Sequence, residues 1–197
     1  MYKVEQLQQI RRIMSEKLDP KRYEHTLGVS FTAASLAMAH GADISTAEMA
    51  GLLHDCAKHF PESVLIQKCR KRDISLSREE LQSPAVIHAI YGAYLTEHKY
   101  GITDEDVINA VRYHTTGRAG MSRLEKIIYI ADYIEPQRSA ADVLPEVRSL
   151  AFRDLDEAMY VILDSTVSYL TSGRSHIAKD TLTALEYFKK LRADRRK

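Results

Sequence analysis

Apolar residues recur along this chain at helical spacing. Val4, Leu7, Ile10, Met14 and Leu18 fall three or four apart, as do Leu27, Phe31, Ala34 and Met38. Ile127, Ile130, Ala131 and Ile134 form a third stripe. This period predicts amphipathic helices, and strict alternation over four or more residues is hard to find, so strands are not expected. Start signals agree. Asp19-Pro20 reads as an N-cap followed by proline at the first helical position. Ser45–Glu48, Ser77–Glu80, Thr103–Asp106 and Ser122–Glu125 read as capping boxes or variants of them, and Pro61, Pro84 and Pro145 each precede helix-compatible sequence. Gly41, Gly101 and Gly173 fall where helices should stop. The expectation is an all-α chain of about eight to ten helices, with loops at Ser139–Leu144 and Thr171–Lys179.

Composition supports this and narrows the class. Eight glycines and five prolines in 197 residues are roughly half the usual share. Hydrophobic residues at 45% and charged residues at 28% exclude a disordered chain. A net charge of +1 gives no general attraction to nucleic acid or to a membrane surface. The basic run Arg192, Arg195, Arg196, Lys197 reads as a solvated helix end. No apolar stretch approaches the ~18 residues that span a bilayer, and Met1–Ile13 lacks the apolar core of a signal peptide. Two cysteines, Cys56 and Cys69, read as buried free thiols of a reducing compartment, so the expected location is the cytoplasm.

The eight histidines separate by context. His40, His59, His98 and His176 lie near predicted helix ends or in loops and read as surface or capping residues. His25, His54, His88 and His114 lie on or at the ends of helices, and Asp55 follows His54 directly after the apolar run Ala50–Leu53. A carboxylate in a core-facing segment is costly unless paired, and a metal ion is a natural partner for imidazole beside carboxylate. Lys58 lies one turn beyond, which suits an anionic substrate such as phosphate. Asp132 interrupts the apolar segment Tyr129–Ile134 in the same way. Singly, each of these is more often a hydrogen-bonded core or cap residue; as an ordered series they call for a joint explanation.

That series resembles the HD-domain metal-dependent phosphohydrolases, and within them the YqeK-type family. The resemblance is carried by Arg22–Val29, His54–Lys58, His88–Ala93, Tyr113–Arg118 and Leu124–Arg138, and covers about residues 5–190. It implies a single HD domain over 1–197, with a metal-binding core at about 20–140 and C-terminal helices at about 145–193. It implies symmetrical hydrolysis of diadenosine tetraphosphate to two ADP at a dinuclear centre. The implied ligands are His25, His54, Asp55 and Asp132 for one ion, with Asp55, His88 and His114 for the other. Iron is the implied metal, although manganese, cobalt, nickel and zinc suit the same donors.

Two such cations would turn a water into hydroxide near neutral pH, and this would attack a phosphorus in the middle of the polyphosphate. Asp55 and Lys58 are the catalytic candidates. Lys58, Arg22, Arg138 and Thr115 are the substrate-binding candidates, and Arg118 is a weaker one. Gly28 and Gly92 read as close-packing positions beside His25 and His88. The expected ligand is a dinucleoside polyphosphate or an ADP-like nucleotide. Eleven tyrosines and an amphipathic N-terminal helix allow but do not require a homodimer. Two other readings stay open: another HD-type nucleotide phosphohydrolase, and a metal-dependent nucleotide sensor without turnover.

Overall fold

The computed structural model describes residues 1–139 and 141–195. Among these are eleven α-helices, one short 3-10 turn and no strand, so the all-α expectation holds and the expected eight to ten helices fall one short. They are α1 (Val4–Lys17), α2 (Pro20–His40), α3 (Ile44–Leu53), α4 (Glu62–Arg70), α5 (Arg78–Gln82), α6 (Ile87–His98), α7 (Glu105–Tyr113), α8 (Arg123–Ile134), α9 (Leu144–Ala151), α10 (Leu155–Ser172) and α11 (Lys179–Asp194). The 3-10 turn, Pro84–Val86, leads into α6. The count rises because the Ser77 capping box starts a helix of only five residues, α5.

Several start signals act where the sequence places them. Asp19 accepts from the Arg22 amide with Pro20 in the first turn, and Ser77 and Ser122 close reciprocal boxes with Glu80 and Glu125. Two do not. The cap of α3 is Asp43, which accepts from the Thr46 amide and from the Ser45 hydroxyl, so Ser45 and Thr46 lie inside the helix. At α7 the cap is Asp104 rather than Thr103. In both cases a neighbouring carboxylate, which also suits the positive end of the helix dipole, takes the cap in place of the hydroxyl. Of the predicted loops, Leu144 belongs to α9 and is buried, while Ala140 lies outside the described residues. The second loop is shorter than expected and runs over 173–178.

The packing centre is α2 against α3, with α8 and α7 closing around them and α6 laid on α7. The stripe Ile127, Ile130, Ala131, Ile134 is buried as expected, and so are Leu7, Ile10, Met14 and Leu18. The stripe on α2 is not. Phe31 is 52% exposed and Met38 61%, and the buried face is the neighbouring one: Thr26, Val29, Ser30, Ala33, Leu36 and Ala37. Size misleads here. Small side chains are what let α3 approach α2, and the outward Phe31 ring is covered in part by the Arg11 guanidinium at 5.1 Å.

The C-terminal helices α9 to α11 pack through α10 onto α8. The basic run at the chain end is not simply solvated. Arg192 pairs with Glu157 at 2.6 Å and sits over the Tyr160 ring, and Arg195 pairs with Asp154 and Asp156. Arg196 and Lys197 lie outside the described residues. Cys56 and Cys69 are both free and buried. No helix among the described residues is long and apolar enough to cross a membrane.

The α2–α3 contact turns on Gly51, where an added Cβ would lie 2.6 Å from the Ser30 Cα. Backbone cannot yield as a flexible side chain can, so a methyl there forces the two helices apart. Gly51→Ala is expected to lower stability by about 1–3 kcal/mol, the usual cost of overpacking a core. Denaturant titration of the two proteins checks this, and equal midpoints would mean that the interface is looser than the contact implies.

Candidate metal centre

Five elements bring the sequence-singled residues to one place. His25 lies in the second turn of α2, and His54 caps the C-terminus of α3 with Asp55 just beyond. His88 lies in the first turn of α6, His114 caps the C-terminus of α7, and Asp132 projects from the last turn of α8. The four imidazoles and Asp55 are buried, and Asp132 is partly exposed. Ring centroids stand 5.3 Å apart for His25 and His54, 5.0 Å for His54 and His114, and 5.1 Å for His88 and His114. The other four histidines stay outside this cluster; His59, His98 and His176 are exposed, and His40 meets the Ala151 carbonyl at 2.6 Å.

Each ring is held from behind. His54 Nδ1 donates to the Gly51 carbonyl at 2.7 Å, His88 Nδ1 to that of Ala85 at 2.6 Å, and His114 Nδ1 to that of Val111 at 2.8 Å. His25 Nδ1 donates to Glu135 Oε1 at 3.1 Å. A proton fixed on Nδ1 leaves a lone pair on Nε2, and all four Nε2 atoms face inward. His88 and His114 Nε2 are only 3.2 Å apart, and both face Asp55 Oδ1, at 3.2 and 3.7 Å. The Nε2 atoms of His25 and His54 are buried with no hydrogen-bond partner among the described residues; they lie 3.9 and 3.6 Å from Asp55 Oδ2. Asp132 Oδ1 is 3.1 Å from His25 Nε2. Imidazole nitrogens and carboxylate oxygens thus face one another, which is the donor set of a cation site.

Charge in the cluster follows its packing. Burial pushes the Asp55 carboxyl up, but the surrounding imidazoles of His54, His114 and His88 outweigh it and hold that carboxyl well below the usual range. Asp132 is held down against burial in the same way, chiefly by His25 and His54. Burial pushes His54 down to about 4 and lowers His88, so both are neutral at pH 7, the form that ligates metal. For His25 burial is outweighed by Asp132 and Glu135, which raise it. Three overlapping groups could each hold an ion: His25, His54 and Asp55; His54, His114 and Asp132; and Asp55, His88 and His114. Asp55 belongs to two of them, with one oxygen toward each.

The candidate substrate residues ring this cluster. Arg22 Nη1 lies 2.8 Å from Asp55 Oδ2, and Arg138 Nη2 lies 2.7 Å from Asp132 Oδ1. Lys58 sits in the run of turns after α3 rather than on the helix, with Nζ 3.1 Å from His88 Nδ1; burial lowers its pKa, with Asp55 opposing. Thr115 Oγ1 is 3.2 Å from His114 Nε2. Arg118 points elsewhere, into a two-pronged pair with the buried Glu125 that also caps α8. Beside the cluster opens a cavity of about 680 Å³, lined in part by His114, Asp132 and Arg138.

Sequence reasoning gave Glu135 no role. It is buried, orients His25 and accepts from the Gln137 amide at 2.7 Å. It also explains Gly28, where an added Cβ would come within 2.8 Å of Glu135 Oε2; Gly28 makes room for this carboxylate. Gly92 faces Val111, Cys56 and the His54 carbonyl. The signal for Glu135 was its place at the end of the Asp132 helix, one turn on.

Comparison with known proteins agrees with this geometry. Residues 22–137 match the HD domain family. The chain is 40% identical over 168 residues to the "Bis(5'-nucleosyl)-tetraphosphatase, symmetrical" of Bacillus subtilis, covering 85% of this chain and 89% of that protein. It is 37% identical over 184 residues to the protein of the same name from Staphylococcus aureus, covering 92% and 94%. Among solved structures, a "predicted HD superfamily hydrolase involved in NAD metabolism" from Clostridium acetobutylicum superposes with a TM-score of 0.90 at 38% identity, over 96% of this chain and 98% of that one.

Glu135 generates a prediction. It accepts from two donors, His25 Nδ1–H and the Gln137 amide, and an amide side chain has only one accepting atom for them. Glu135→Gln is expected to weaken metal affinity by about 10–100-fold, as loss of an orienting carboxylate does. Competition with a metallochromic chelator measures this; undiminished affinity would leave Glu135 a packing residue.

Proposed function

The chain belongs to the HD domain family, and from that premise we propose that it is a metal-dependent phosphohydrolase that splits diadenosine tetraphosphate symmetrically into two ADP. One observation carries the reading: four Nε2 atoms, each with its Nδ1 held from behind by an acceptor, converge on two carboxylates, a donor set that cations complete. The curated relatives named for this activity, similar over most of both chains, support the substrate.

His25, His54, Asp55 and Asp132 would hold one ion, and Asp55, His88 and His114 a second, with Asp55 shared. The residues fit two transition-metal ions, and iron is the metal this reading favours. Cations so held supply an acidified water and positive charge for phosphoryl oxygens. The chain's own groups do the rest. Arg22 and Arg138, whose guanidinium groups already reach the cluster, bind oxygens of the polyphosphate and set the central phosphorus over it. Lys58, partly desolvated, places a positive charge where the departing ADP gains its negative one. The Thr115 hydroxyl donates to a phosphate oxygen beside His114. The same reading takes 1–197 as one HD domain with its metal-binding core at about 20–140, working in the cytoplasm, as a monomer or a homodimer.

Purified protein loaded in turn with iron, manganese, cobalt, nickel and zinc is expected to convert the dinucleotide into two equivalents of ADP, resolved by anion-exchange chromatography. Orthophosphate or nucleoside from mononucleotides, with the dinucleotide untouched, would assign the site to another HD-type reaction; tight binding without product would make it a sensor. The double variant His54→Ala, Asp55→Ala should lose metal and hydrolysis together, by elemental analysis and by rate. Lys58→Ala should keep its metal and lose about 100-fold in turnover, the scale of removing one group that stabilises developing charge. Unchanged turnover would make Lys58 structural.

A further inference from the structure

The cavity beside the metal cluster is lined by two unlike sets of residues. His114, Asp132, Arg138 and Thr115 bring ligand and cationic groups. Tyr133 from α8, Leu144 from α9, and Tyr169 and Leu170 from α10 bring aromatic and aliphatic surface. Its volume of about 680 Å³ lies within the range of sites that enclose a small organic ligand. A lone phosphate would use only the first set. A molecule that joins phosphates to a flat apolar group would use both.

Tyr169 marks where that flat group goes. It is 76% exposed, on the helix face that borders the cavity, and its ring meets no other ring or cation among the described residues. A large aromatic side chain left in water at the mouth of a cavity gains most from a partner that stacks on it. On the same helix, Ser165 and Thr166 also line the cavity and bring hydroxyl groups to its wall. All of these α10 residues lie beyond residue 137, where the HD domain match ends.

We infer that Tyr169 is the stacking platform for a nucleobase of the substrate, with Tyr133, Leu144 and Leu170 closing the slot around it. The C-terminal helices then recognise the nucleoside, while the HD portion handles the phosphates. The inference rests on the nucleotide reading above. It assigns to α10 a specificity role that metal ligation does not require.

Binding of ADP and of inorganic pyrophosphate to the metal-loaded protein tests it, because the two share a diphosphate and differ by the nucleoside. Tyr169→Ala is expected to weaken ADP about tenfold, the scale of one lost base–aromatic stack, and to leave pyrophosphate affinity unchanged. The KM for the dinucleotide should rise in parallel. Tyr169→Phe, which keeps the ring, should stay close to wild type in all three. Equal ADP affinity in Tyr169→Ala would overturn the slot, and so would equal weakening of ADP and pyrophosphate. Failure of the wild-type protein to release two ADP from the dinucleotide would instead overturn the proposed reaction, and the ADP-against-pyrophosphate difference would still decide the slot.

Discussion

The buried carboxylate of Asp55 is the constraint around which this molecule is arranged. It stands almost out of water with imidazole nitrogens facing both of its oxygens and a guanidinium on one of them. Such a charge is tolerated only among groups that keep it ionised. The protein supplies them from α2, α3, α6 and α7, so the packing of these four helices and the electrostatics of one residue are the same problem. This is why α2 and α3 approach so closely at Gly51. The carbonyl of that glycine also anchors His54, so the closest backbone contact and a cluster residue share one peptide.

Helix ends provide the economy of the site. The last carbonyls of a helix lack partners within it. At α3 and α7 the histidine just past the end turns its Nδ1–H back onto the carbonyl three residues earlier, capping the helix and aiming Nε2 inward in one step. His88 repeats the i−3 contact at the entrance to α6, using the carbonyl of Ala85 in the preceding 3-10 turn. His25 lies within α2, where every neighbouring carbonyl is already taken by the helix. It needs a side-chain acceptor from elsewhere, and Glu135 fills that need. One rule accounts for three rings, and its failure accounts for the fourth partner.

Much of this was legible in the residues. Asp55 and Asp132 stood out by their intrusion into apolar runs, the four converging histidines by their places on or at the ends of helices, and the cysteines stay unpaired as their number suggested. What was hidden depended on distance across the fold. Glu135 looks like any acid at a helix end until α2 is laid against it. The buried face of α2 was misplaced because periodicity weights large side chains, whereas close helix contact selects small ones: Ser30 and Ala33 inside, Phe31 and Met38 outside. The caps of α3 and α7 were set one or two residues off because hydroxyl and carboxylate candidates lie side by side at Asp43–Ser45 and Thr103–Asp104.

A net charge of +1 conceals how unevenly charge is spent. At the chain end, Arg192 and Arg195 are consumed by acids at the start of α10, so those cations are structural. At the cluster the balance differs, because Arg22 and Arg138 rest on the same two carboxylates that the imidazoles surround. On the proposed reading, a cation taking up those carboxylates would compete with both guanidinium groups and leave them free to meet another anion. Filling the site with metal and preparing it for phosphate would then be coupled through shared oxygens. A polyphosphate would then find the arginines at the rim released by the same event that charges the floor.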